Sequence, residues 1–162
     1  MTDPSTIRLL VLDVDGTLTD GSVYISETGD EFKRYDVKDG RGIIEVQRAG
    51  VRVAFLSAST SRHTVLRRAE MLGVDLCHVG SGDKRAILDA WLDDLGLTPG
   101  QVAFIGDDVN DLTAVRHVGL SACPSDAVDV VKRAVDVVLE RPGGHGCVRE
   151  FIDRFLGPVG MD

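Results

Sequence analysis

The chain has 162 residues, 43% of them hydrophobic, which suits one domain of ordinary size with one well-packed core. Asp and Glu number 26 against 18 Lys and Arg, a net charge of −8, and no basic cluster is interleaved with aromatics, so a nucleic-acid partner is excluded and cation binding favoured. No apolar run approaches the roughly 20 residues of a membrane span, and MTDPST offers neither a basic start nor an apolar signal core, so no membrane partner and a cytoplasmic location are expected.

The first element is the run Ile7 to Thr17, IRLLVLDVDGT, an almost wholly apolar strand that delivers Asp13 and Asp15 to a Gly-Thr turn. Side chains on a strand alternate with a period of two, so both carboxylates lean one way while Val14 points into the core. Two carboxylates on one side of a strand end repel unless a cation lies between them or one is protonated, and the pair predicts a metal. SVYIS and EFKRYD then flank ETGD, whose glycine suits a tight turn, and predict a β-hairpin just past the aspartates. Gly40 to Ala49 reads as an amphipathic helix closed by Gly50, and Val51 to Leu56 as a second buried strand. Ser61 is placed to N-cap a helix running to Leu72 and Gly73. Asp75 to Val79 reads as a third strand, Asp83 to Leu95 as a helix, and Thr98-Pro99 as a turn into a fourth strand, Gln101 to Ile105. Gly119 to Cys123 and Val135 to Leu139 look like short late strands, and Cys147 to Leu156 a closing helix. Strands alternating with helices of this length predict an α/β fold, a three-layer parallel sheet. Cys77, Cys123 and Cys147 form no CxxC pair and read as unpaired core or surface residues.

Four elements fall just past successive predicted strands: DVDGT at 13–17, Ser57, Lys84, and GDDVND at 106–111. Strand ends of a parallel sheet converge at its carboxyl edge, where α/β sheets bind ligands, so these distant residues can form one site. An aspartate nucleophile, a divalent cation, a lysine and a hydroxyl donor are the parts that phosphoryl transfer needs. Asp13 is assigned as nucleophile and metal ligand, and Asp15 as the acid that protonates the leaving alkoxide and then activates water, with its backbone carbonyl on the metal. Asp107 completes the metal site; Mg²⁺ suits such an oxygen-rich set. Ser57 would donate to a phosphoryl oxygen, Lys84 would neutralise charge on nucleophile and phosphate, and Asp108 and Asp111 would orient metal-bound waters or Lys84. Taken singly, Lys84 reads as a solvated helix-start lysine, Ser57 as a turn serine and Asp111 as an acid favoured by the helix dipole; the conjunction carries the assignment.

In order and spacing these motifs resemble the four motifs of the haloacid dehalogenase-like hydrolase superfamily. The resemblance implies a Rossmann-like three-layer sheet and a Mg²⁺-dependent phosphatase acting on a small phosphorylated sugar. More narrowly, DGSVYISETGDEFKRYDVKDGRGI is similar to the hairpin and loop of the capless 3-deoxy-D-manno-octulosonate 8-phosphate phosphatases and their relatives acting on nine-carbon keto-sugar acid phosphates. GGHGCVRE is similar to their GGxGxxRE tail. The stretch from Gly16 to Ser57, much of it hairpin, leaves no room for a cap, so the expectation is one domain over 1–162 with a flap at about 22–36 and a tail at about 141–162. A capless site needs another source of water exclusion. The resemblance implies a homotetramer with hairpins packed together; Val23, Tyr24, Ile25 and Phe32 would be buried there, or else pack within the chain. It also implies substrate contacts from Asp36, Val37, Lys38, Asp39, Gly40, Ser59 and Arg68, with Lys38 and Arg68 suited to a sugar-acid carboxylate. Two positions depart from the pattern: His145 stands where the tail commonly has arginine, and Ser57-Ala58-Ser59 replaces Thr/Ser-Gly-Arg, with Arg62 near enough to substitute. The leading reading is an octulosonate 8-phosphate phosphatase. The alternatives are a nine-carbon keto-sugar acid 9-phosphate or other phosphometabolite as substrate, a non-catalytic binding domain, and a phospho-acceptor signalling domain, in which the aspartyl-phosphate would have to persist beside Asp15.

Overall fold

The computed structural model describes residues 3–157; residues 158–162 of the expected tail lie outside the described residues. Six strands form one sheet: β1 (Leu9–Leu12), β4 (Arg52–Ser57), β5 (Leu76–Val79), β6 (Val102–Ile105), β7 (Leu120–Cys123) and β8 (Val137–Val138). Their order is β5-β4-β1-β6-β7-β8, and every pair is parallel. A separate antiparallel pair, β2 (Tyr24–Ile25) and β3 (Glu31–Phe32), makes the hairpin.

The apolar strands are continuous because both faces of the sheet are covered. Leu10, Leu12, Phe55 and Ile105 pack on one face against Ile43 and Val46 of α1 (Val37–Arg48), Val65 and Ala69 of α2 (Arg62–Leu72), and Phe151 and Ile152 of α6 (Cys147–Phe155). Leu9, Val11, Leu56 and Phe104 pack on the other against Leu88 and Leu92 of α3 (Lys84–Leu95) and Ala114 and Val115 of the short α4 (Leu112–Val115). The three-layer α/β expectation therefore holds. From β1 the chain runs outward through β4 to β5 and then returns to the other side of β1 as β6. That reversal opens a crevice at the carboxyl ends of β1 and β6.

The first helix begins at Val37 rather than Gly40, because the Asp36 carboxylate accepts from the amides of Lys38 at 2.7 Å and Asp39 at 3.3 Å and so caps it. Ser61 occupies the expected cap position of α2 without a side-chain cap hydrogen bond. The stretch after Asp107 is a 3-10 turn, Val109–Asp111, followed by α4, and one further helical turn, α5 (Asp129–Lys132), precedes β8. The three cysteines are free, as expected.

The tail is tied to the first turn and to α1. The Asp39 carboxylate, 1% exposed, accepts from the amides of Arg149 at 2.8 Å and Gly146 at 3.3 Å and so anchors the start of α6. Gly143 lies so close to the DVDGT turn that a Cβ there would fall 1.8 Å from the Gly16 carbonyl oxygen. The Gly144 amide donates to the Thr17 carbonyl at 3.0 Å, and Arg34 of the hairpin donates to the Gly144 carbonyl at 2.8 Å. Among the described residues no helix is long and apolar enough to cross a membrane.

Replacing Asp39 by Ala leaves two buried amides unpaired and should lower stability by about 1 to 3 kcal/mol. A urea titration checks this: a lowered midpoint with unchanged slope is expected, and an unchanged midpoint would show that the carboxylate does not hold α6.

Candidate active site

The end of β1 builds the site. The Asp13 amide donates to the Ile105 carbonyl at 2.9 Å, which extends the ladder and points the 5%-exposed Asp13 side chain into the crevice beside β6. The Val14 carbonyl then accepts from the amides of Thr17, Leu18 and Thr19, closing a tight turn. Gly16 supplies the φ of +89° this turn requires, and a Cβ there would fall 2.1 Å from Asp107 Oδ2, so glycine also admits the second carboxylate.

Lys84 opens α3 and turns inward. Its ammonium, on a side chain 2% exposed, donates to Asp13 Oδ1 at 2.5 Å and Asp111 Oδ1 at 2.6 Å. The other Asp111 oxygen accepts from the amides of Asp107 at 2.9 Å and Asp108 at 3.2 Å, so Asp111 positions both Lys84 and the 106–111 turn. Asp13, Asp107 and Asp111 each offer an oxygen within 4.8 Å of the others. Burial holds the Asp13 carboxyl well above the ordinary range; Lys84 opposes this, and repulsion from Asp111 and Asp107 adds to it. Burial, and then repulsion from Asp111, push Asp107 up to about 6. Burial by itself would lower the Lys84 pKa, but the two carboxylates override it and the net shift is upward.

One ammonium among three carboxylates leaves negative charge uncancelled in a poorly solvated crevice. The donor set is all oxygen, so it fits a hard divalent cation. Both Asp111 oxygens are already engaged, which leaves Asp13 and Asp107 as the carboxylates available to an ion.

Asp13, Asp15, Ala58, Ser59, Asp108 and Asn110 line a cleft of about 200 Å³ at this point. Ser57 lies buried beneath it as the last residue of β4, its hydroxyl accepting from the Ser59 amide at 3.1 Å. The structure thus brings together Asp13, Asp15, Ser57, Ser59, Lys84, Asp107, Asp108 and Asp111. It does not bring Asp36, Lys38, Asp39, Gly40 or Arg68 to the walls of that cleft. Asp36 and Asp39 act as caps, Gly40 lies within α1 beside Arg68, and Lys38 is exposed on α1. Arg68 lies over the Tyr35 ring, 5.3 Å from its centroid, and donates to the Asp36 carbonyl at 3.3 Å. Arg62 does not take the place of the missing arginine, because its guanidinium donates to the Val79 carbonyl at 2.9 Å. His145 Nδ1 lies 2.8 Å from the Gly143 carbonyl.

Two residues at the site are not among those the motifs single out. Asn110 stands between the aspartates of GDDVND. Lys33 donates to Asp15 Oδ1 at 2.5 Å and pairs with Glu31 at 3.2 Å, on a side chain 2% exposed. The period of two along Glu31-Phe32-Lys33 was its signal, with two charges on one side of the strand and an aromatic on the other. Tyr24 and Phe32, paired on the side of the hairpin away from Glu31, are 51 and 58% exposed, and Val23 and Ile25 on the other side are 54 and 71% exposed, so packing within the chain does not cover them.

A sequence model of the haloacid dehalogenase-like hydrolases matches residues 38–119, which include Ser57, Lys84 and the 106–111 turn. The 3-deoxy-D-manno-octulosonate 8-phosphate phosphatase KdsC of Salmonella typhi is 36% identical over 156 residues, 96% of this chain and 82% of that protein. The chain belongs to the haloacid dehalogenase-like hydrolases. Within them it falls in the family of 3-deoxy-D-manno-octulosonate 8-phosphate phosphatases, as its structural likenesses also have it. The Moraxella catarrhalis enzyme in complex with magnesium, phosphate and KDO superposes with a TM-score of 0.92 at 32% identity, over 95% of this chain and 88% of that one. The cobalt-bound Haemophilus influenzae enzyme superposes with a TM-score of 0.90 at 38% identity, over 95% of this chain and 90% of that one.

The raised Asp107 pKa gives a pH test. Its value in the fold, about 6, lies above the ordinary 3.8, so the ion-free fold takes up a proton and loses stability as pH rises through that window. A cation replaces that proton, so millimolar Mg²⁺ should raise Tm more at about pH 8 than at about pH 5. Asp107→Asn should abolish the response; an equal rise at both pH values would contradict the assignment.

Proposed function

We propose that this chain hydrolyses 3-deoxy-D-manno-octulosonate 8-phosphate by way of an aspartyl-phosphate on Asp13. The observation that carries the reading is the buried Lys84 held between Asp13 and Asp111, with Asp107 beside them and Asp15 at the mouth of the same cleft. The family relationship and the ligands named for the Moraxella catarrhalis enzyme support the substrate.

Asp13, Asp107 and the backbone carbonyl of Asp15 would hold a divalent ion, Mg²⁺ by the hardness of these donors. When bound, the ion neutralises charge on the transferring phosphoryl group. A carboxylate oxygen of Asp13 attacks phosphorus while the ester P–O bond breaks and its electron pair passes to the sugar oxygen, which takes the proton of Asp15. Water then attacks the phosphoryl group and gives a proton to Asp15 as the Asp13–phosphorus bond breaks, restoring both carboxyl groups. Lys84 holds Asp13 in line through both steps, and the Ser57 hydroxyl donates to a phosphoryl oxygen. Asp108 and Asn110, which line the same cleft as Ser59, orient water and the leaving sugar.

Ser59 lacks the fork of donors that an arginine would present to a sugar-acid carboxylate. That departure favours a second reading, a nine-carbon keto-sugar acid 9-phosphate, whose longer chain would fill the space. Asp36, Lys38, Asp39, Gly40 and Arg68 remain substrate contacts only as the family resemblance implies them, since they stand outside the walls of the cleft. The bare hairpin supports a homotetramer, the free cysteines a reducing cytoplasm, and the one continuous sheet a single domain over 1–162.

Phosphate release should require a divalent metal and should be fastest on octulosonate 8-phosphate within a panel of sugar phosphates. A nine-carbon substrate turned over faster would select the second reading, and no release from any ester would sink the phosphatase. Asp13→Asn should lower kcat by about a thousandfold or more while leaving Tm within a few degrees. Phe32→Asp should convert a tetramer, measured by light scattering, to smaller species; a wild-type monomer would refute the assembly.

A further inference from the structure

We propose that Lys33 is a positioning residue: from the hairpin it fixes the carboxylate of Asp15 so that the unbonded oxygen, Oδ2, meets the leaving group. The proposal rests on the phosphatase reading above and assigns the flap a part in the chemistry beyond excluding water.

Asp15 needs such a restraint. Its side chain is 40% exposed at the mouth of the cleft, whereas Asp13 is held by Lys84 and Asp111 by two amides. A carboxylate in that position turns freely between rotamers unless something fixes it. Lys33 holds one oxygen, Oδ1, at 2.5 Å, and among the described residues Oδ2 has no hydrogen-bond partner. The oxygen left free is the one able to carry the transferred proton.

The restraint is itself anchored. Lys33 also pairs with Glu31 at 3.2 Å, and Glu31 accepts a hydrogen bond from the Ser61 hydroxyl at the start of α2. This explains why Ser61 sits at the cap position of α2 without capping it. On the other edge, Tyr35 pairs with Thr19 as an isolated antiparallel bridge, and Arg34 reaches the Gly144 carbonyl. The end of the hairpin is thus tethered to α2, to the first turn and to the tail, and Lys33 transmits that fixed geometry to Asp15. Because Glu31 shares the ammonium, Asp15 is not the sole counterion of a nearly buried lysine.

The test compares kcat/KM, which reports events up to release of the alcohol, on phenyl phosphate and p-nitrophenyl phosphate. Neither ester carries a sugar acid, so a substrate contact with Lys33 cannot mimic the effect. Phenolate is the poorer leaving group and depends more on the proton of Asp15. Lys33→Met should lower kcat/KM about 30-fold on phenyl phosphate and less than about threefold on p-nitrophenyl phosphate, since loss of a placed acid and misplacement by an ångström each cost on the order of a hundredfold. Lys33→Arg should restore most of the loss, and Lys33→Met added to Asp15→Asn should cost nothing further. Equal losses on the two esters, or no loss on either in an enzyme whose parent turns over, would overturn the role of Lys33 and leave the phosphatase reading standing. A parent enzyme that releases phosphate from no ester would instead remove the reading on which the proposal rests.

Discussion

The structure depends on one buried ammonium. Lys84, on the first turn of α3, lies between Asp13 at the end of β1 and Asp111 after β6, and so joins three segments that the sequence separates widely. Without it, two nearly buried carboxylates and their neighbour Asp107 would meet with no positive charge among them, a costly arrangement in a poorly solvated crevice. With it, their oxygens come within 4.8 Å of one another, close enough to share a divalent cation. The same contact leaves Asp13 pinned through Oδ1, and Asp111 spends its second oxygen on the amides that fold the 106–111 turn. Fold and site are therefore one construction: the strand order that creates the crevice also delivers the residues whose charges need each other.

Around that centre the chain places a short hairpin and a glycine-rich tail. The hairpin presents Lys33 and Glu31 to the first turn and leaves Tyr24, Ile25 and Phe32 exposed. The tail lies so close to the DVDGT turn that Gly143 has no space for a side chain, and Asp39 fixes the helix that follows. Hairpin, first turn and tail thus meet on one side of the cleft. So much exposed apolar surface on one hairpin is costly in water.

The sheet and the charged centre were legible in the sequence because each rests on a local signal. Continuous apolar runs such as LLVL and VAFI mark strands buried on both faces, and the aspartates follow them directly. Contacts between segments were less legible. The family resemblance offers Asp36 and Asp39 as substrate contacts; the cap that Asp36 makes on its own helix is a local feature, whereas the amides that Asp39 receives come from a helix more than a hundred residues away. The alternation along Glu31-Phe32-Lys33 shows which side Lys33 takes but not its partner, Asp15, which belongs to the first turn. Gly40 suggested a helix start, yet close packing on Arg68 explains it better than a turn does. Ser61 was placed correctly, but its hydroxyl serves the hairpin and not the helix.

The central claim is that Asp13 takes the phosphoryl group. The most direct test is to quench the enzyme during turnover, reduce any acyl phosphate with borohydride, and locate the reduced residue by peptide mass spectrometry. Homoserine at position 13, dependent on both metal and substrate, is the expected product. Steady turnover with position 13 unmodified, or reduction at a different carboxylate, would contradict it.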